Sequence, residues 1–121
     1  MKKINKILFP TDFSNNSNNA FRYALWFADK YGASIELLHA VYPEVEPSDV
    51  PIMAASSIQS RVEVVQEIMH TFVNTTIAQV QAAHELRNVP NINSKTQIGF
   101  PSNVISEAIK GDSIDLVIMG T

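Results

Sequence analysis

The chain has 121 residues and a mass of 13.4 kDa, which is the size of a single domain. Apolar residues make up 45% and charged residues 17%, a balance that favours a packed core over disorder. Lys and Arg total 9 while Asp and Glu total 12, which gives a formal net charge of −3. The chain therefore lacks the positive field of non-specific nucleic-acid binders, and we expect no nucleic-acid partner.

Cysteine is absent, which excludes disulfides, thiolate metal sites and cysteine nucleophiles. The apolar run that follows the basic N-terminus, Ile7–Phe9, is shorter than a signal peptide or a membrane span requires. We therefore expect a cytoplasmic protein with no membrane partner.

The first part of the chain alternates strand, helix and strand. Lys6–Phe9 is a short apolar run that Pro10 ends, because proline donates no ladder hydrogen bond. Thr11–Ser17 is rich in helix-capping residues and precedes apolar residues at helical spacing, up to a stop at Gly32. Ser34–Val41 is apolar on both faces, which is typical of a strand in a covered parallel sheet.

The second part repeats the alternation. The proline-rich stretch Tyr42–Ser57 predicts a long loop. Apolar residues then recur at three- or four-residue steps from Ile58 to Leu86, which predicts one long amphipathic helix. A polar edge strand is predicted at Ser94–Ile98 and a fourth strand at Ile114–Gly120. Between them, the turn Gly99–Ser102 leads into a short helix that carries Val104 to Ile109 and stops at Gly111.

This βαβαβαβ pattern predicts a three-layer α/β domain, in which helices cover both faces of a parallel sheet. Right-handed crossovers in a doubly wound sheet of order 3-2-1-4 place helices 1 and 2 on one face and helix 3 on the other. Ligands of such sheets bind outside the carboxyl ends of the strands where the winding reverses, here between strands 1 and 4. The residues at these two strand ends are Pro10, Thr11, Asp12, Met119, Gly120 and Thr121.

Four segments carry a family resemblance. They are Ile7–Ser14 (ILFPTDFS), Leu37–Val41 (LLHAV), Gly99–Pro101 and Asp115–Thr121 (DLVIMGT). In this order and at this spacing, they make the whole chain resemble the universal stress protein family. The resemblance implies a flavodoxin-like, Rossmann-like cytoplasmic domain that responds to stress and occurs singly or in tandem.

One branch of that family binds ATP. The resemblance implies that Pro10 and Asp12 line an adenosine pocket, that the backbone of Val41 meets the adenine edge, and that Met119 and Gly120 form the far wall. Asp12 is equally explained as a helix cap or a turn residue. The implied function is non-catalytic, regulatory binding of adenine nucleotide. The alternative is the other branch, an interaction module that acts through dimer or tandem-domain surfaces.

The phosphates in the ATP-binding branch lie on a glycine-rich segment directly after the Met-Gly-Thr of strand 4. Gly120 would be its first glycine, and the remainder, with the family's fourth helix and fifth strand, would follow Thr121. We therefore expect residues 1–121 to form a universal stress protein-like domain that is incomplete at its C-terminus. Strand 4 would then expose Leu116, Ile118 or their neighbours on the face that only helix 3 covers.

Other chemistry-bearing residues have simpler interpretations. Ser14 and Ser17 are predicted caps, because no Gly-x-Ser-x-Gly motif of a nucleophile surrounds them. His39 lies in a predicted buried strand, either as a core residue hydrogen-bonded within the protein or as a residue that supports the ligand-contacting ones from behind. His70 and His84 lie too far apart on the long helix to share a metal ion. We expect no catalytic residue and no metal site, and therefore no enzyme.

Overall fold

The structure is a computed structural model that describes the backbone of residues 3–42 and 51–120 and the side chains of residues 3–42 and 59–120. Its elements are β1 (Lys6–Pro10), α1 (Asn15–Tyr31), β2 (Ser34–Val41), α2 (Pro51–Ala82), β3 (Ile92–Ile98), α3 (Pro101–Gly111) and β4 (Leu116–Val117). The strands form one parallel sheet in the order β3-β2-β1-β4. The predicted three-layer fold, its strand order and the edge position of β3 are confirmed.

The core is divided by the sheet into two layers. The larger layer joins β1 and β2 to both α1 and α2, and its buried members include Ile7, Phe9, Phe21, Leu25, Leu37, Met69 and Val80. The smaller layer packs α3 on the other face through Leu8, Leu38, Val104 and Ala108. Successive residues of β1 enter opposite layers because side chains alternate along a strand. The predicted distribution of helices over the two faces is therefore confirmed.

Helix α1 has a capping residue at each end. The Ser14 hydroxyl accepts a hydrogen bond from the Ser17 backbone N–H at 3.2 Å, which makes Ser14 the N-cap as predicted. Ser17 is not a cap, because it is buried in the first turn of the helix. At the other end, Gly32 has a φ of 66° and its N–H bonds to the Ala28 carbonyl, a left-handed stop that glycine adopts without a Cβ penalty.

Helix α2 differs from its prediction at both ends. Residues 51–57 are helical rather than part of a loop, and Pro51 suits the first helical position, where no N–H is needed. The remainder of the predicted loop, residues 43–50, lies outside the described residues. The helix ends at Ala82 because His84 takes a φ of 55°, although Leu86 still packs on the core.

Despite the 32 residues of α2, no helix in the described part of the chain is long and apolar enough to cross a membrane.

Strand β4 is shorter than predicted. Ile118 N–H donates to the Leu8 carbonyl at 3.0 Å, but the next bond along this ladder would need an N–H from Pro10, which proline lacks. The exposure predicted on the α3 face is wrong for Leu116 and Ile118, because the residue on that face is their neighbour Val117, which is half-buried. Leu116 and Ile118 are half-buried and pack on the layer of α1 and α2, whereas Val117 faces α3.

Candidate functional site

A cavity of about 310 Å³ lies at the carboxyl edge of the sheet, where the winding reverses. Its walls come from the β1–α1 turn, the end of β2, the start of α3 and the residues after β4. Five of the six predicted site residues line it together, namely Pro10, Thr11, Asp12, Met119 and Gly120. The topological argument from the sequence therefore points to a cavity that the fold forms.

The sixth predicted residue, Val41, does not line this cavity. Leu38, His39, Ala40 and Tyr42 line the cavity at the end of β2, whereas Val41 is buried. Val41 lines a neighbouring groove of about 460 Å³ between the end of β2 and α2. Its carbonyl accepts a hydrogen bond from the Gly99 N–H at 2.9 Å, so this backbone acceptor already has a partner inside the protein.

The β1–α1 turn is held by hydrogen bonds centred on Thr11. Its N–H donates to the Leu38 carbonyl at 2.9 Å, which continues the pairing of β1 with β2 beyond Pro10. Its hydroxyl accepts from the Phe13 N–H at 3.0 Å and bonds the Ser17 hydroxyl at 2.6 Å. Because Thr11 and Ser17 are both buried, these bonds join the cavity wall to the first turn of α1.

Asp12 is the exposed carboxylate of the cavity. Its Oδ1 accepts a hydrogen bond from the Ser14 N–H at 2.9 Å, so the predicted turn-forming role is present. Hydrogen bonds from Ser14, through its hydroxyl first and its backbone next, hold the pKa of Asp12 below its ordinary value of 3.8. Asp12 is therefore an anion at neutral pH and a hydrogen-bond acceptor beside the cavity.

His39 is half-buried at the boundary between the cavity and the neighbouring groove. Its Nδ1 lies 2.7 Å from the Thr11 carbonyl oxygen, and its ring centroid lies 4.6 Å from that of Phe13. The prediction that His39 is hydrogen-bonded within the protein agrees with this contact. Its position against the cavity fits the alternative that His39 supports the ligand-contacting residues.

The sequence reasoning missed the cavity residues that come from β2 and α3. They are Leu38, Ala40, Tyr42, Pro101, Val104 and Ile105. Strand alternation from Leu38 was the available signal for the first three, and the Gly-Phe-Pro start of α3 beside the same sheet edge was the signal for the others. If histidine is counted as neutral, Asp12 is the one formally charged residue among the described residues that line the cavity. Such a cavity suits a mostly apolar ring with hydrogen-bond donors at its edge.

Comparisons with known proteins agree with this architecture. The sequence model described as the universal stress protein family matches residues 3–121. The structure of the universal stress protein UspA from Lactobacillus plantarum is similar at a TM-score of 0.73 and 20% identity, with 100% of this chain and 81% of that chain covered. The structure of a protein from the universal stress protein family of Burkholderia pseudomallei is similar at a TM-score of 0.66 and 15% identity, with 100% of this chain and 84% of that chain covered.

A universal stress protein in complex with cAMP is also similar, at a TM-score of 0.63 and 16% identity, with 97% of this chain and 76% of that chain covered. No curated protein sequence matches the chain. The likeness to solved structures establishes the fold, and the family match extends over nearly every residue. The chain belongs to the universal stress protein family.

Proposed function

We propose that this stress-response domain binds an adenine nucleotide in the carboxyl-edge cavity and that binding has a regulatory, non-catalytic role. One observation carries the proposal: four separate chain segments meet around a single cavity at the reversal point of the sheet. This is where open parallel sheets bind their ligands. The family match and a cAMP-bound structure of the same fold support a nucleotide as the ligand class.

The described residues suit the nucleoside part of such a ligand. Pro10, Ala40 and Met119 supply apolar walls for the base. The Asp12 carboxylate would accept hydrogen bonds from the hydroxyl or amino groups of adenosine. For the adenine edge we propose the backbone at the end of β2, with Ala40 as the cavity-lining residue, because the Val41 carbonyl is already bonded to Gly99.

ATP is the nucleotide that we propose first, and cAMP is the alternative within the same class. The ATP phosphates would lie on the glycine-rich segment expected after Thr121. That continuation stays a prediction. The described residues would therefore contribute affinity through base and sugar, which ATP, adenosine and cAMP share.

Calorimetric titration of the protein with ATP and with cAMP tests the proposal. We expect saturable binding and a loss of about tenfold in affinity for Asp12→Ala, since a hydrogen bond to a charged group is worth about 1.5 kcal/mol or more. Glu107→Ala, at an exposed position of α3, is the matched control and should leave affinity unchanged. Absence of binding at millimolar nucleotide would overturn the proposal, and an unchanged affinity in Asp12→Ala would overturn the site.

A second candidate, an interaction module, is favoured by the outer face of α1. Tyr23, Trp26, Phe27 and Tyr31 are each 39–57% exposed there, and contiguous exposed aromatic surface marks interaction sites. In this interpretation the partner is a second copy of the chain. Sedimentation of wild type and a Tyr23→Ser, Phe27→Ser double variant tests it, because a concentration-dependent dimer should dissociate in the variant. A wild type that remains monomeric would exclude this candidate.

A further inference from the structure

His39 contacts the residues on both sides of Asp12. Its Nδ1 lies 2.7 Å from the carbonyl oxygen of Thr11, the residue before Asp12. Its ring centroid lies 4.6 Å from that of Phe13, the residue after Asp12. His39 and Thr11 are 28 residues apart in the chain. One side chain of β2 therefore holds the β1–α1 turn on either side of its carboxylate.

The hydrogen bond to Thr11 sets the tautomer of His39. A carbonyl oxygen only accepts, so Nδ1 must carry the hydrogen. The neutral ring is then protonated at Nδ1 and unprotonated at Nε2. Protonation of the ring would add its hydrogen at Nε2 and leave the bond from Nδ1 in place. The contact with the turn is therefore present in both charge states of His39.

The turn itself needs such a contact. Phe13 has a φ of 65°, a left-handed conformation that is uncommon for a residue with a bulky side chain. Strained backbone of this kind persists only where the surrounding structure fixes it. The Phe13 ring lies between His39 and Phe72 of α2, at centroid distances of 4.6 and 5.7 Å. The Thr11 hydroxyl accepts the Phe13 N–H, so His39 completes the set of contacts that hold the turn.

We infer that His39 is the positioning residue of the nucleotide site: its Nδ1–H bond to the Thr11 carbonyl fixes the turn that presents Asp12 to the ligand. This inference rests on the proposed function. It assigns His39 no bond to the nucleotide. Loss of the Nδ1 donor leaves the carbonyl of the buried Thr11 without this hydrogen bond and releases the turn. The consequence is a weaker site on an otherwise intact sheet.

The two amide variants His39→Asn and His39→Gln isolate this bond. The Asn side-chain nitrogen occupies the place of Nδ1, whereas the Gln nitrogen lies one methylene further out and corresponds to Nε2. Both variants lose the ring contact with Phe13, so their difference reports the donor position alone. We expect His39→Asn to bind ATP about tenfold more tightly than His39→Gln, which is the upper part of the range for one hydrogen bond. His70→Asn and His70→Gln, on the exposed face of α2, are the control pair and should not differ.

Nitrogen-15 NMR of the histidine rings supplies a readout that does not depend on nucleotide. Wild-type His39 should show the Nδ1–H tautomer, and the Phe13 amide should exchange more slowly in His39→Asn than in His39→Gln. An Nε2–H tautomer, or equal ATP affinity in the two amide variants, would overturn the inference. If wild type binds no nucleotide, the proposed function fails. The tautomer and the Phe13 exchange rates then still decide whether His39 positions the turn.

Discussion

Gly120 lies directly against the backbone of Asn16. A Cβ placed on Gly120 would come within 2.8 Å of the carbonyl carbon and oxygen of Asn16, and equally close to the backbone nitrogen of Ser17. These are atoms of the first turn of α1, which no side-chain rotation can move aside. The chain after β4 therefore closes the cavity by backbone packing on the helix, and only glycine permits this approach.

Replacement of Gly120 by alanine should disrupt this closure. We expect Gly120→Ala to lower the free energy of unfolding by about 1–3 kcal/mol, as overpacking does, and to weaken ATP binding. Gly111→Ala is the matched control, because a Cβ at Gly111 meets nothing within 4 Å. It should leave ATP affinity unchanged and stabilise the protein by about 0.5 kcal/mol. Urea unfolding and calorimetry measure both, and equal effects of the two substitutions would contradict this account of Gly120.

The N-cap of α1 gives a second prediction. Ser14→Ala removes the hydroxyl that accepts the Ser17 N–H, so the free energy of unfolding should fall by about 1 kcal/mol. The same change removes the hydroxyl that lowers the pKa of Asp12, so this pKa should rise towards its ordinary value in an NMR titration. Ser106→Ala, at an exposed position of α3, should leave the Asp12 pKa unchanged and should not lower the free energy of unfolding, because alanine favours a helix interior. A fall in the free energy of unfolding without any change in the Asp12 pKa would show that the Ser14 hydroxyl does not act on Asp12.

The carboxyl group of Glu36 is buried in β2, near Asp112 at the C-terminal end of α3. Its Oε1 lies 3.8 Å from Lys6 Nζ. Burial first, and the neighbouring Asp112 carboxylate second, raise the pKa of Glu36. Asp112, which also pairs with Lys95 at 3.4 Å, has a lowered pKa, held chiefly by its hydrogen bond with Glu36.

The raised pKa means that the folded state holds the Glu36 proton more tightly than the unfolded state. This contribution to stability is complete below the ordinary pKa of 4.5 and is lost as the pH rises through the raised value. Glu36→Gln should therefore gain free energy of unfolding relative to wild type as the pH rises above about 4.5. Urea unfolding across that range measures the gain, with Glu107→Gln as the exposed control. A difference from wild type that is independent of pH would refute the buried-carboxyl interpretation.

Much of this fold and part of its site follow from sequence pattern. The strand order and the sides of the helices were predictable because strands and helices alternate along the chain and crossovers between parallel strands are right-handed. The topology then placed Asp12 opposite Gly120 without any side-chain information. Val41 was expected at the site through its backbone, on the family resemblance alone, whereas the structure places Ala40 rather than Val41 among the cavity-lining residues.

The contacts that shape the turn had no local signal. His39 meets Thr11 across 28 residues, and Phe13 takes a left-handed φ that its residue type does not favour. The sequence predicted a loop at Pro51, whereas α2 begins there. Proline fits the first position of a helix as well as a turn, so its presence did not distinguish the two. These features depend on tertiary packing, which a pattern along one chain does not encode.

The most direct test of nucleotide binding at the carboxyl edge is an ATP titration followed by backbone amide chemical shifts. We predict saturable shifts concentrated at residues 11–17, 38–42 and 119–120, with the outer face of α1 around Tyr23 unchanged. Adenosine should shift the same amides, since the described residues would contact base and sugar. Saturable shifts centred elsewhere, or none at millimolar ATP, would contradict the account.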